Sequence, residues 1–294
     1  NSSANTASQG NSDVLTTQPV NGVSTTLPST ALQQSDLQFD SPYSNYSLSF
    51  DGSGDYVDTN FKIPAISTYS FSLWFKTPSA PVGNSSILWD INSNGQNLSG
   101  RGHIGFRDNF FYSSMGNGTN YWYDFSSYNI SSFYDNNWHN LVLTINNYTQ
   151  KLYIDGSLVH TYDTSTGGGG ASSAVSAGTA GTQTYKIARA GDFNGNYFNG
   201  KIDETAIFNT ALTEAQVLEI YNNGKPSDLD NFSGTAPISW WRLGENAYFN
   251  TGTTPGPEFT VPNSIAGAPN GVGSGTVTTM LSADAPGTYA NGIG

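Results

Sequence analysis

The sequence predicts an all-β chain, folded as a sandwich with one short helix, and three observations carry that expectation. Asn, Ser, Thr and Gly fill the polar positions while only 11% of residues are charged, so turn formers abound and good helix formers are few. Short runs alternate apolar with polar residues, the period-2 signature of a strand with one inward face. A helix start signal stands out at one place, Thr213 to Gln216.

The elements follow in order along the chain. Residues 1–36 are rich in Ser, Thr, Asn and Gln, with isolated Val14, Leu15, Val23 and Leu27, and read as an extended arm. Leu48 and Phe50 alternate with Ser47 and Ser49; Phe71, Leu73 and Phe75 alternate with Ser70, Ser72 and Trp74, leaving a second face for solvent or a ligand. Further strands are expected at 87–91, 102–107, 138–145, 151–154, 158–162, 185–189 and 201–208. Asp155 and Gly156 form the sharpest hairpin signal, because a type I′ turn needs positive φ at both central positions. The Gly167 to Gly170 run and the Ala/Ser/Gly stretch ending near Thr182 read as a mobile loop. Thr213 stands three residues before Gln216, a capping-box spacing, and Val217, Leu218 and Ile220 follow, with Gly224 and Pro226 past the end. A short helix at the edge of the sandwich is expected there.

Four pieces of this chain occur in a telling order: the run from Ser47 to Asp58 with its Phe50-Asp51-Gly52 turn, Trp138-His139, Leu152-Tyr153-Ile154-Asp155-Gly156, and Phe198 to Asn209 with Ile202-Asp203-Glu204. Closed by Leu212, Thr213, Glu214 and Val217, they resemble the laminin G-like, concanavalin A-like jelly-roll family. The resemblance implies an antiparallel jelly-roll β-sandwich over residues 37–226, put to use for adhesion or sugar binding. It also implies a structural ion in some members, near the Phe-Asp-Gly turn and the Ile-Asp-Glu strand. Beyond Pro226, Ile238, Trp240, Trp241, Arg242, Leu243, Gly244 and Glu245 resemble the family's opening strand, which normally precedes the Phe-Asp-Gly strand. Residues 263–281 resemble the start of the chain, so 227–294 reads as the beginning of a second module, with shared Asn/Gly/Thr composition as the alternative. The displaced strand has two possible destinations: its own sandwich, which short-range topology favours, or a neighbouring copy completed by strand addition. Such modules are also similar, more loosely, to tail, fibre and capsid-associated proteins of marine bacterial viruses.

A formal net charge of -12 with only 10 Lys and Arg argues against nucleic acid and an acidic membrane surface as partners. A neutral glycan, a protein partner or calcium carries no such penalty. There is no cysteine for a disulfide or a thiolate ligand, and no run of 18 apolar residues for a membrane span. Opening on Asn1, the chain reads as a processed product or a piece of something longer. Sequons such as those at Asn45 and Asn84 arise easily in so Asn-rich a chain and matter only in a eukaryotic secretory setting.

Polysaccharide hydrolysis needs two flanking carboxylates, yet Glu204, Glu214, Glu219, Glu245 and Glu258 are the whole glutamate set and none lies in a Glu-x-Asp-x-Glu pattern. Asp203 and Glu204 on a regular strand point to opposite faces. His103, His139 and His160 lack metal-ligand spacing. The expectation is therefore a non-enzymatic module. Asp51 and Asp203 are the calcium candidates, in a stabilising role, because a Gly-rich turn and a strand start can converge hard oxygen ligands; Asp-Gly pairs forming turns for backbone reasons are the alternative. The glycan candidates are Asn120, Tyr121, Trp122, Tyr123 and Asp124, in a stretch where aromatic rings alternate with amide and acid groups. Core packing or a protein contact is the competing reading for those rings. Partners are expected to be other copies, surface or virion proteins, or cell-surface glycans, at an extracellular location.

Overall fold

The computed structural model describes residues 44–62, 67–80, 86–91, 102–116, 121–124, 128–163, 184–189, 197–250, 258–275 and 279–287, with backbone alone at 86–91, 102–103, 114–116, 121–124, 249–250 and 258. The expected arm at 1–36 and the loop at 167–182 lie outside the described residues. Strands β1 (Ser47–Asp51), β2 (Tyr56–Asp58), β3 (Thr68–Lys76), β4 (Ser86–Ile91), β5 (Gly102–Arg107), β6 (Phe110–Gly116) and β7 (Tyr121–Asp124) come first. Next are β8 (His139–Asn146), β9 (Thr149–Ile154), β10 (Ser157–Asp163), β11 (Lys186–Ile187) and β12 (Asn199–Phe208), then helix α1 (Glu214–Tyr221). After the helix come β13 (Ser239–Trp241), β14 (Tyr248–Asn250), β15 (Glu258–Val261), β16 (Gly271–Ser274) and β17 (Leu281–Ser282).

These strands form two antiparallel sheets. Sheet one runs β10-β9-β8-β3-β12-β1-β17, with β13 also paired to β12; sheet two runs β14-β15-β16-β2-β11-β4-β5-β6-β7. The hairpin expected at Asp155-Gly156 joins β9 to β10, and both residues take positive φ. Strand 185–189 is shorter than expected, because Ala188 at φ 72° ends β11. β6, which the sequence shows only as an aromatic run, is a strand because Asp108 at φ 52° turns the chain back on β5.

The two sheets close on each other through alternate residues. Leu48, Phe50, Phe71, Phe75, Leu141 and Leu143 of sheet one meet Val57, Ile104, Phe106, Ile187 and Phe259 of sheet two, all but Phe50 at or under 1% exposed. A second apolar layer covers the outer face of sheet one, where Val142, Tyr153, Ala206 and Phe208 pack on Val217 and Ile220 of α1, with Leu229 and Trp240. The helix thus lies across that face and not at the sandwich edge, because the outward residues there are themselves apolar. It follows that β3 has no face left for solvent or ligand: residues 69–75 are all buried, and Trp74 stacks on Tyr221 at 5.9 Å. The expected capping box is present, with Thr213 accepting from Gln216 N and Gln216 returning the bond to Thr213 N.

The segment after the helix contributes strands to both sheets. Residues 199–202 of β12 pair with β1, and 205–207 of the same strand pair with β13. Of its two possible destinations, the displaced strand takes its own sandwich: Trp241 and Leu243 are fully buried in the central core, and Phe61 meets Trp241 edge-on at 5.8 Å. β16 extends sheet two from β2, and β17 pairs with β1.

Candidate functional site

Two places gather chemistry: a bulge in β12 and the outer face of sheet two. The register of β12 against β3 shifts between Asp203 and Ala206, and Glu204 sits at φ 48°. A bulge of this kind re-aims side chains, so Asp203 and Glu204 do not diverge to opposite faces as on a regular strand. Together with Glu245 they bring carboxylate oxygens within 4.8 Å of one another. Glu204 accepts from Trp240 Nε1 at 2.7 Å and pairs with Arg242 Nε at 3.0 Å. Glu245 accepts from the backbone N–H of Asn45 at 2.6 Å and Tyr46 at 3.1 Å, and from Ser44 Oγ at 2.5 Å. Gly244 permits this approach, since a Cβ there would lie 2.3 Å from the Tyr46 carbonyl carbon.

Asp203 is fully buried and neither of its oxygens meets a hydrogen-bond donor at good geometry. Burial, with Glu204 and Glu245 beside it, pushes its carboxyl well above the usual range. Burial also raises Glu204, to about 7, against the opposing pull of Arg242 and Trp240. Asp203 and Glu204, buried beside a single guanidinium, favour taking up a proton or a cation. The cluster's donor set fits calcium, which asks for oxygen ligands and charge.

On sheet two, Tyr56 and Asp58 flank the buried Val57 and so lie on the outer face. The guanidinium of Arg189 stands 4.6 Å from the Tyr56 ring centre and 5.6 Å from that of Tyr197. Arg189 has no carboxylate partner among the described residues, and its Nε meets no acceptor. Beside it, Lys186 Nζ reaches Asp58 Oδ2 at 2.5 Å and Thr184 Oγ1 donates to Asp58 Oδ1 at 2.6 Å. Burial raises Asp58, but those bonds outweigh it and hold the carboxyl below its ordinary value. The cross-strand row that contains Asp58 and Lys186 continues through Asp90, His103 and Ser114 to Tyr123. Six strands wide, it spans about 24 Å at the usual interstrand spacing.

A family model described as the concanavalin A-like lectin/glucanases superfamily, a laminin G type, matches residues 51–218, more than half of the 294-residue chain. The chain belongs to the concanavalin A-like lectin/glucanase superfamily. No curated protein matches it in sequence. Among solved structures, a candidate carbohydrate-binding protein of Bacteroides ovatus is similar at TM-score 0.55 and 15% identity, over 83% of this chain and 61% of the other. The present chain thus spans about three fifths of that protein's length. A heptameric pentraxin of Limulus polyphemus aligns at TM-score 0.43 and 15% identity over 60% of this chain and 82% of that one. Domain 4 of an extracellular arabinanase of Geobacillus stearothermophilus, solved with arabinotriose, aligns at TM-score 0.44 and 17% identity over 60% and 76%.

In this superfamily member the sequence candidates fall in different places. Asp203 lies in the carboxylate cluster. Asp51 does not: at the end of β1, it is exposed and accepts from Ser53 N at 2.7 Å, opposite Asn199 and four residues along β12 from Asp203. Glu204 and Glu245, weighed in the sequence only as catalytic carboxylates, complete the cluster. Tyr121, Trp122, Tyr123 and Asp124 form β7, an edge strand of sheet two; Asn120 lies outside the described residues. Tyr123 shares the row of Asp58 and Lys186, whereas Asp124 shares that of the buried Ser113. Tyr56, Arg189 and Tyr197 were missed: they come from three separate segments and no spacing announces them.

Proposed function

We propose that this chain is a non-enzymatic glycan-binding module of an extracellular or surface protein, with the outer face of sheet two as its ligand face. One observation carries the reading: Arg189 held between two partly exposed tyrosines, next to the Asp58–Lys186 pair. Sugar rings present C–H faces to aromatic surfaces and hydroxyls to charged and amide groups, so this combination supplies both halves of recognition. Tyr123 continues the same row, and Tyr121, two residues before it on β7, falls on the same face by strand alternation, whereas Trp122 and Asp124 fall on the other. Similarity in fold to the Bacteroides ovatus protein is consistent with this use.

A hydrolase is disfavoured because its two acids must flank a bond that substrate can bring between them. Asp203 and Glu204 are 0% and 4% exposed. Calcium is proposed as a structural ion held by Asp203 and Glu245, with Glu204 beside it and Asp51 too far along the sheet to join. Where bound, it would neutralise the cluster. Assembly with other copies or with surface or virion proteins is the second reading; since β13 pairs within the chain's own sandwich, a contact between copies would use another surface.

The test is a glycan array probed with the intact chain in calcium buffer, followed by titration of the best hits. Tyr56→Ala, Tyr197→Ala and Tyr123→Ala are expected each to weaken binding about tenfold or more, in line with lost aromatic contacts. An array without hits, or variants that bind as well as the parent, overturns the reading.

A further inference from the structure

The outer face of sheet one is not wholly sealed by α1. Where the helix begins, a groove of about 490 Å³ opens between β8, β9 and the turn entering the helix. Its size lies within the usual range for small-molecule sites. Thr144, Thr149, Lys151 and Tyr153 form one side, and Leu212 and Glu214 the other.

Four of the polar side chains lining it, Thr144, Lys151, Tyr153 and Glu214, are not used in hydrogen bonding or ion pairing within the described part of the fold. Tyr153 is 2% exposed, its ring packed into the apolar layer beneath α1, and Thr144 is 4% exposed. Among the described residues, neither the Tyr153 hydroxyl nor the Thr144 hydroxyl has a hydrogen-bond partner, and no ion pair engages Lys151 or Glu214. Burial holds both side chains in place while their hydroxyl oxygens open onto the groove, where a ligand can reach them. Burial, and then Glu214, raises the Tyr153 phenol, which keeps it protonated and able to donate.

The chemistry of the lining selects the ligand class. Lys151 donates, Glu214 accepts, and the hydroxyls of Thr144, Thr149 and Tyr153 do both. The two charges cancel, so an anion would face Glu214 and a cation would face Lys151. A neutral polyol satisfies every group at once, because each of its hydroxyls also donates and accepts. Leu212 supplies an apolar surface for ring C–H groups. We propose that this groove is a second ligand site, which takes a neutral mono- or disaccharide. The site lies on the sheet opposite the Tyr56–Arg189–Tyr197 face and does not rest on the reading of that face.

Isothermal titration of the intact chain tests it, with glucose, galactose, mannose, xylose, arabinose, N-acetylglucosamine, maltose, cellobiose and lactose as probes, and glycine and betaine as zwitterions. At least one sugar is expected to saturate the protein. Lys151→Met and Tyr153→Phe should each weaken it about tenfold, the scale of a lost hydrogen bond in a desolvated site. Arg189→Ala and Tyr56→Ala are titrated in parallel to assign any binding that belongs to the sheet-two face, and a thermal transition near the parent's shows that each variant is folded. The proposal is overturned if no sugar saturates, if only the zwitterions bind, or if Lys151→Met and Tyr153→Phe bind like the parent. It is equally overturned if affinity falls only with the sheet-two variants, an outcome that would leave the sheet-two reading intact.

Discussion

His139 sits between two carboxylates, its Nδ1 2.7 Å from Asp155 Oδ2 and its Nε2 3.1 Å from Asp135 Oδ1. Both contacts are hydrogen bonds when each ring nitrogen carries a proton, so the site favours imidazolium. Burial against Phe75 and Phe133 depresses the ring's proton affinity, but Asp155 and Asp135 outweigh it and the net shift is upward. A group whose pKa rises on folding stabilises fully below its unfolded value, about 6.5, and that contribution fades as pH climbs through the folded value. Urea midpoints should therefore fall as pH rises from 6 to 9, and His139→Gln should flatten the profile; an unchanged profile in the variant would refute the assignment. Asp203 calls for a different measurement. Calcium in large excess over its Kd should raise the parent's melting temperature relative to chelator, with about 2.7 kcal/mol expected at a hundredfold excess. Asp203→Asn should abolish the response, and a parent indifferent to calcium would show that protons alone neutralise the cluster.

At the level of elements, β12 links the fold to the cluster. Its first half pairs with β1 and its second with β13, and the bulge between them turns Asp203 and Glu204 toward Glu245. β13 brings Trp241 into the central core and sets Trp240 and Arg242 on Glu204. Truncating such a side chain to Ala costs about 3–5 kcal/mol, from lost transfer energy plus the cavity left behind. Trp241→Ala should lower the stability measured by denaturant unfolding by that amount, which would show that the strand after the helix is integral to this sandwich. A loss well under 1 kcal/mol would mean that β13 is only loosely held. Legibility at this scale followed locality. The Asp155-Gly156 hairpin and the Thr213 cap were readable because their determinants lie within four residues. The bulge was not, because a register shift depends on three strands meeting around β12.

For the molecule as a whole, with a formal charge of -12, the few cations engage particular carboxylates: Lys76 and Lys201 pair with Asp284, Lys186 with Asp58 and Arg242 with Glu204. The two proposed ligand sites fall on opposite outer faces, one sheet each, with the apolar core between them. Composition, period-2 alternation and the ordered motif pieces determined by themselves that this is a jelly-roll sandwich with one capped helix, since those features report backbone preference and burial along the chain. Only the tertiary structure decided where β13 goes, which carboxylates meet, and that Tyr56, Arg189 and Tyr197 share a face. Each of those depends on contacts between residues far apart in sequence, about 36 to 140 positions here, and pairing at that separation is set by how the sheets pack.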